Sequence, residues 1–266
     1  MQEIEMDVAP QSATESRKLL DTHRGEKISI VMPCLNEEKA IARCIAWARE
    51  GLGKTGLPGE IIVADNGSTD RSAQIARAAG ARVVHQPLRG YGNAYHKGFA
   101  ASTGSYIVMG DADETYDFRE IDRLIAPLRE GYDYVLGSRF SGTILPGAMP
   151  WTHRYIGNPV LTFILNALFG LKSSDAHSGL RAFTRDAYLR MGLSSPGMEF
   201  ASELVIKAAQ VRLRVAEVPI TYYPRAGTSK LHALRDGWRH LRFMFAHRFS
   251  PTSAPAPAPA PAFRWE

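Results

Sequence analysis

A chain of 266 residues and 29.3 kDa, 45% apolar and 22% charged, has the make-up of an ordinary folded domain, which excludes a disordered chain and a coiled coil. Lys and Arg exceed Asp and Glu by 32 to 27, a formal charge of +5 with a pI near 9.2. The excess is modest and much of it follows residue 211, so it reads as a local basic surface for phosphate or anionic lipid, with no nucleic-acid partner expected.

Residues 1–26 carry Glu3, Glu5, Asp7 and Pro10 among Ser and Thr, without the basic start and apolar run of a secretory signal, and are expected to form a disordered extension. From Lys27 to Asp111 a pattern repeats: apolar run, polar turn, amphipathic helix. The runs are Ile28 to Met32, Ile61 to Ala64, Arg82 to His85 and Tyr106 to Met109, each short and apolar on both faces as a buried parallel strand requires. Between them Ile41, Cys44, Ile45 and Ala48 fall at helical spacing. A second helix opens at a Ser68-Thr69-Asp70 cap and closes at Gly80, and a third covers about 91–101. Such alternation predicts an α/β fold, a doubly wound sheet flanked by helices, with ligands at the carboxyl ends of the strands. Cys34 and Cys44 suit neither a disulfide framework nor a zinc spacing, and read as reduced, buried small hydrophobes.

The second half is less regular. Strands are predicted at 132–137 and 216–222, with helices at about 154–169 and 199–210. The apolar stretch 159–171, interrupted by Thr162 and Asn166, is too short to span a bilayer, so folding in the cytosol is expected. Over 231–249, Leu234, Trp238, Leu241 and Phe245 share one helical face, with Arg235, Arg239, His240 and Arg242 among the other positions, which predicts a basic amphipathic helix suited to a membrane surface. A Pro/Ala-rich tail over 250–266, alternating from Pro255 to Ala262, predicts an extended, coreless end.

The informative motifs all fall where strands end. After the first comes Pro33-Cys-Leu-Asn-Glu37, and not the glycine fingerprint of a dinucleotide-binding dehydrogenase. After the second, in Asp65-Asn-Gly-Ser-Thr-Asp70, Asp65 and Ser68 either cap a helix or accept from a nucleobase or ribose hydroxyl. After the third, Arg89-Gly-Tyr-Gly-Asn93 is a glycine turn whose backbone donors suit a phosphate, or simply a turn. After the fourth, Asp111-Ala-Asp113 and Glu114 crowd three carboxylates. Their repulsion calls for a cation, with Mg²⁺ or Mn²⁺ on a diphosphate as the natural occupant, unless the turn is merely solvated.

Taken together, Pro33-x-Leu-Asn-Glu37, Asp65 to Asp70, Arg89-Gly-x-Gly-Asn-Ala94 and Asp111-Ala-Asp113 resemble the successive motifs of family 2 inverting glycosyltransferases of the GT-A fold, over about residues 27–230 as a single domain. Gly137-Ser-Arg-Phe140, Asp175 to Phe183, Met198 to Glu203 and Arg225-Ala-Gly-Thr-Ser-Lys230 are similar to the polyprenyl-phosphate sugar synthases, the group containing dolichyl-phosphate mannose and glucose synthases. The resemblance implies that Pro33, Leu35, Asn36, Glu37, Asp65 and Gly67 hold the nucleotide-sugar, together with Arg89, Gly90, Gly92, Asn93 and Asp111. It implies that Asp111 and Asp113 hold the metal. Arg139, Ser178, Arg181, Arg225, Ser229 and Lys230 are implied for phosphate or acceptor, with Asp113, Asp175 and Arg139 as the catalytic set. The sequence departs from the group at His177, where Gln or another polar residue is usual, and in the Pro/Ala tail, where many relatives carry transmembrane helices.

The implied reaction transfers a hexose, glucose or mannose, from a UDP- or GDP-sugar to a polyprenyl phosphate on the cytoplasmic face of a membrane. A soluble acceptor such as phosphoglycerate or a glycan is the alternative, and a non-catalytic nucleotide-sugar binder a weaker one. Asp175 either orients the acceptor, helps ligate the metal, acts as a base for an alcohol, or holds Arg181. Glu199 and Glu203, one turn apart, either face the cleft or pair with Arg181 or Lys207.

Overall fold

A computed structural model describes residues 25–227 and 233–248, with the side chains of 233–236 left aside. The expected N-terminal extension, apart from residues 25 and 26, lies outside the described residues, as do the tail and the candidate acceptor residues Ser229 and Lys230. Seven strands form one sheet in the order β3-β2-β1-β4-β6-β5-β7. They are β1 (Ile28–Cys34), β2 (Gly59–Asp65), β3 (Arg82–His85), β4 (Tyr106–Met109), β5 (Tyr134–Ile144), β6 (Arg181–Thr184) and β7 (Val215–Tyr222). The four predicted N-terminal strands pair in parallel.

The second half departs from a purely parallel sheet. β6 is antiparallel to both β4 and β5, while β5 and β7 are parallel. The sequence reading passed over β6 because Arg181-Ala-Phe-Thr184 is four residues long and opens on a charge. It also passed over helix α4 (Ile121–Arg129), which contains Pro127, and the seven-residue α6 (Arg185–Met191). The other helices are α1 (Ile41–Thr55), α2 (Ser72–Ala78), α3 (Tyr91–Ala101), α5 (Asn158–Phe169), α7 (Phe200–Gln210) and α8 (Ala233–Arg248).

Alternation along β1 makes both sheet faces core. Ile28, Ile30 and Met32 join the cluster under α1 and α4, and Val31 joins Tyr95, Phe99, Phe183 and Phe200 under α3 and α7. Burial pushes the Cys34 thiol up to about 11 and that of Cys44 up to about 12, so both are neutral core residues, as their composition context suggests. A third, smaller cluster joins α5, α7 and α8 through Leu165, Ile206 and Met244. The α5 helix starts at Asn158, after a π-helical turn at His153–Gly157. Among the described residues no helix is long and apolar enough to cross a membrane.

Candidate active site

The parallel strands β1, β2 and β4 end on the same edge of the sheet, where Arg225 joins Glu37 of the first loop to Asp113 of the last across the cleft between them. The loops after β1 and β2 are laced into a unit: Asn36, held in the left-handed region at φ 54°, donates its N–H to Ser68 Oγ at 3.0 Å and accepts from Thr69 N at 2.7 Å. Glu37 N donates to Ser72 Oγ at 2.7 Å, and Glu38 N to Asp70 Oδ2 at 3.2 Å. The helix that opens here, α2, has Arg71 at its N-cap position without a side-chain cap bond, and Asp70, one residue before, accepts from Ser72 N at 2.9 Å. Asp65 Oδ1 accepts from Ser68 N at 3.0 Å within its own turn, ahead of the helix, so neither Asp65 nor Ser68 caps it.

The glycine turn owes its composition to packing. Gly90 sits at φ 145°, and a Cβ there would strike the carbonyl oxygen of Pro196, while one on Gly92 would strike that of Ser195. Two donors expected for a phosphate are used internally: Gly90 N bonds Asn66 Oδ1 at 2.9 Å and Asn93 N bonds Pro196 O at 3.1 Å. This corrects the expectation of an open backbone cradle. Asn66, absent from the candidates, also donates to Gln86 O and Leu88 O and so ties the turn to the end of β2. The Asp-Asn-Gly context was the signal available for it.

Asp111 and Asp113 meet at the end of β4. Asp111 Oδ1 accepts from Tyr91 at 2.9 Å and Tyr95 at 3.4 Å, both missed in the sequence, where they read as ordinary helix positions. Burial, and then the charge of Asp113, push the Asp111 carboxyl up to about 6. Asp113 Oδ1 accepts from Thr115 N at 3.1 Å, and its Oδ2 lies 2.9 Å from Arg225 Nη1. Arg225 also reaches Glu37 Oε1 at 2.7 Å, so this candidate phosphate ligand is at present the counter-charge that closes one end of the cleft. Its Nε is buried with no acceptor among the described residues.

Among the described residues no group of three or more His, Cys, Asp or Glu side chains is spaced to hold a metal ion. The two-carboxylate set nevertheless fits Mg²⁺ or Mn²⁺, which accept hard oxygens and take the balance of their ligands from substrate phosphates and water. Gly179 leaves the approach open, because a Cβ there would stand 3.0 Å from Asp111 Oδ2.

The remaining candidates separate. Asp175, fully buried, does not hold Arg181; it grips Arg139, accepting from its N at 2.9 Å, Nε at 2.7 Å and Nη2 at 2.7 Å. Arg139 lies over the ring of Tyr222, 5.2 Å from its centroid. Arg181 is 1% exposed and spends its donors inside the fold, on Ser178 O, Tyr134 Oη, Ala201 O and Ala176 O. With four of its five N–H donors spent inside the fold and 1% of its surface exposed, the guanidinium is not presented to a ligand, and the structure removes Arg181 from the phosphate set. Arg181→Met is expected to cost about 3 kcal/mol by stranding those acceptors, with donor affinity unchanged in the folded fraction; denaturant unfolding and nucleotide titration measure the two.

Ser178 is buried with its hydroxyl unpaired, and neighbouring His177 lies 3.1 Å from Ser202 Oγ, which in turn lies 2.8 Å from His240 Nδ1 on α8. Burial and then His240 hold His177 well below the usual histidine range. Glu203 accepts from Ser194 N and Ser195 N, shaping the loop that presses on the glycine turn, and Glu199 faces Arg239 at 3.6 Å. Neither pairs with Arg181.

Comparison with known proteins agrees with this geometry. The family model described as "Glycosyl transferase family 2" matches residues 29–192. The chain is 46% identical to the "Low-salt glycan biosynthesis hexosyltransferase Agl6" of Haloferax volcanii over 92% of its own length and 62% of that protein's, so it spans less than two thirds of this relative. It is 33% identical to a "Dolichyl-phosphate hexose transferase" of the same organism, over 80% of this chain and 90% of the other. A crystal structure of glucosyl-3-phosphoglycerate synthase from Mycobacterium tuberculosis, in complex with Mn²⁺, uridine diphosphate and glucosyl-3-phosphoglycerate, superposes with a TM-score of 0.67 at 26% identity, covering 89% of this chain and 85% of that one. With the paired carboxylates at the end of β4 and a mixed α/β sheet of the GT-A kind, the chain belongs to glycosyl transferase family 2.

Proposed function

We propose that this glycosyltransferase moves glucose or mannose from a UDP- or GDP-sugar to a polyprenyl phosphate, with inversion and with Mg²⁺ or Mn²⁺, at the cytoplasmic face of a membrane. Asp111 and Asp113 would hold the cation, which would supply charge neutralisation for the leaving diphosphate. The laced loops carrying Pro33, Leu35, Asn36, Glu37, Asp65 and Gly67 receive the nucleoside. An oxygen of the acceptor phosphate bonds to the anomeric carbon as the bond from that carbon to the diphosphate breaks, and the nucleoside diphosphate leaves. A phosphate monoester has its second pKa near 6, so the acceptor is largely ionised at neutral pH and needs no strong base. That suits Asp175, whose oxygens are occupied by Arg139.

The observation that carries the membrane part of this reading is the orientation of α8. Its buried positions are His240 and Met244, whereas Trp238 is 69% and Phe245 49% exposed. Trp238 and Phe245 thus point away from the fold, with Leu241 half-buried beside them. Trp151, Tyr155 and Phe163, on and before α5, are exposed as well, and no Asp or Glu occurs between Asp133 and Asp175. Aromatic side chains with Arg154 among them and no acid nearby suit an anionic lipid surface.

The test is transfer from UDP-glucose or GDP-mannose with each metal, with and without a short polyprenyl phosphate. Sugar in the lipid phase upholds the reading; transfer only to phosphoglycerate or a glycan replaces it with the soluble alternative. In a vesicle-sedimentation assay, Trp238→Glu/Phe245→Glu is expected to weaken partitioning at least ~30-fold, since two large apolar side chains each contribute about 1.5–3 kcal/mol on burial. Unaltered partitioning would remove α8 from the interface.

A further inference from the structure

Beside the cleft a cavity of about 530 Å³ opens between α8, the start of α7 and the glycine turn, lined by Arg89, Glu199, Arg239, Arg242, Phe243 and Ala246 among others. None of its α8 residues belongs to a family 2 motif identified above. Its lining thus holds three arginines and one glutamate. Arg239 lies 3.6 Å from Glu199 Oε2, while Arg89 and Arg242 have no ion pair among the described residues. Phe243 and Ala246 contribute an apolar wall, and on α8 the exposed Trp238 and Phe245 lie on the face next to Arg242. The cavity also touches the donor side: a Cβ on Gly67 would stand 3.4 Å from Arg89 Cζ, and Gly90 is tied to Asn66.

We infer that this cavity is a binding site for a phosphate monoester with an apolar chain, its anionic end between Arg89, Arg239 and Arg242 and the first part of its chain along Phe243 and Ala246. The inference deepens the reading under Proposed function and rests on it for the source of the ligand. Excess positive charge selects a dianion, and the adjoining apolar wall selects what is attached to it. The chain then leaves the cavity along the exposed face of α8, toward the lipid surface that this face suits. Glu199 opposes any anion that enters, which gives the site a signature with a definite sign.

The experiment is equilibrium binding of farnesyl phosphate to the full chain without donor, beside binding of 3-phosphoglycerate, inorganic phosphate and UDP-glucose. Arg239→Ala and Arg242→Ala are each expected to weaken farnesyl phosphate about tenfold, with Arg242→Lys recovering part of the loss and UDP-glucose unaffected. Phe243→Ser should weaken farnesyl phosphate and leave inorganic phosphate unchanged. Glu199→Gln should tighten every phosphate ligand, which a merely structural Glu199 would not do. If the arginine variants weaken 3-phosphoglycerate while Phe243→Ser changes nothing, the phosphate site stands and its source is soluble, which overturns the lipid acceptor alone. If the arginine variants, folded by circular dichroism, bind all phosphates as the parent does, the inference fails even where lipid-linked product is made.

Discussion

Asp113→Ala is expected to lower transfer on the order of 10³-fold, the scale on which removal of one pre-set electrostatic group acts at a developing charge. Two losses combine. A cation would be left with Asp111 alone, a carboxylate already reluctant to ionise, and Arg225 loses the partner at 2.9 Å, leaving it to Glu37. Asp113→Asn keeps the acceptor for Thr115 but not the charge, so it should fold like the parent and still be slow. Rates across a Mn²⁺ titration, with thermal melts as control, measure this; equal turnover in Asp113→Ala would remove Asp113 from the metal. The same site predicts an acid limb. Because Asp111 takes up a proton near pH 6, well above an ordinary aspartate, transfer should fall as pH drops through about 6, and added Mn²⁺ should move that limb lower.

Features governed by neighbours in sequence were legible in the chain; those governed by distant residues were not. The strands β1 to β4 announce themselves through runs of β-branched residues between turn signals, and each site motif sits at one of their ends because the loops after parallel strands open on the same edge. Two carboxylates with one residue between them, just past the end of a hydrophobic strand, carry their own electrostatic argument. By contrast, Glu37 and Arg225 meet across 188 residues, and nothing local marks either as the other's partner. Gly90 and Gly92 looked like a phosphate cradle because glycine before a helix has two uses, open backbone or close packing. Only the position of Ser195 and Pro196 decides between them. Similarly, helical periodicity identified the two sides of α8 but not which one faces outward. A stripe of Trp238, Leu241 and Phe245 satisfies a core and an outer surface equally well, and the docking of His240 and Met244 leaves Trp238 and Phe245 on the outside.

Asp175 shows why a carboxylate motif does not fix a carboxylate's role. Its side chain is fully buried and Arg139 is nearly so, with three hydrogen bonds between them. Removing one member of such a pair strands a buried charge, so Asp175→Ala is expected to cost about 3–5 kcal/mol, a fall in Tm of roughly 10 °C or more for a domain of this size. Replacing both by apolar residues of similar volume removes the stranded charge, and Arg139→Met/Asp175→Leu should recover most of that stability. Turnover separates the two roles that stability cannot. If Arg139, held over Tyr222, acts on phosphate, the recovered double variant should still be slow by about 100-fold, in line with loss of one positioned donor. Recovery of turnover along with stability would make the pair scaffold alone. A Tm for Asp175→Ala equal to the parent's would contradict the burial argument itself.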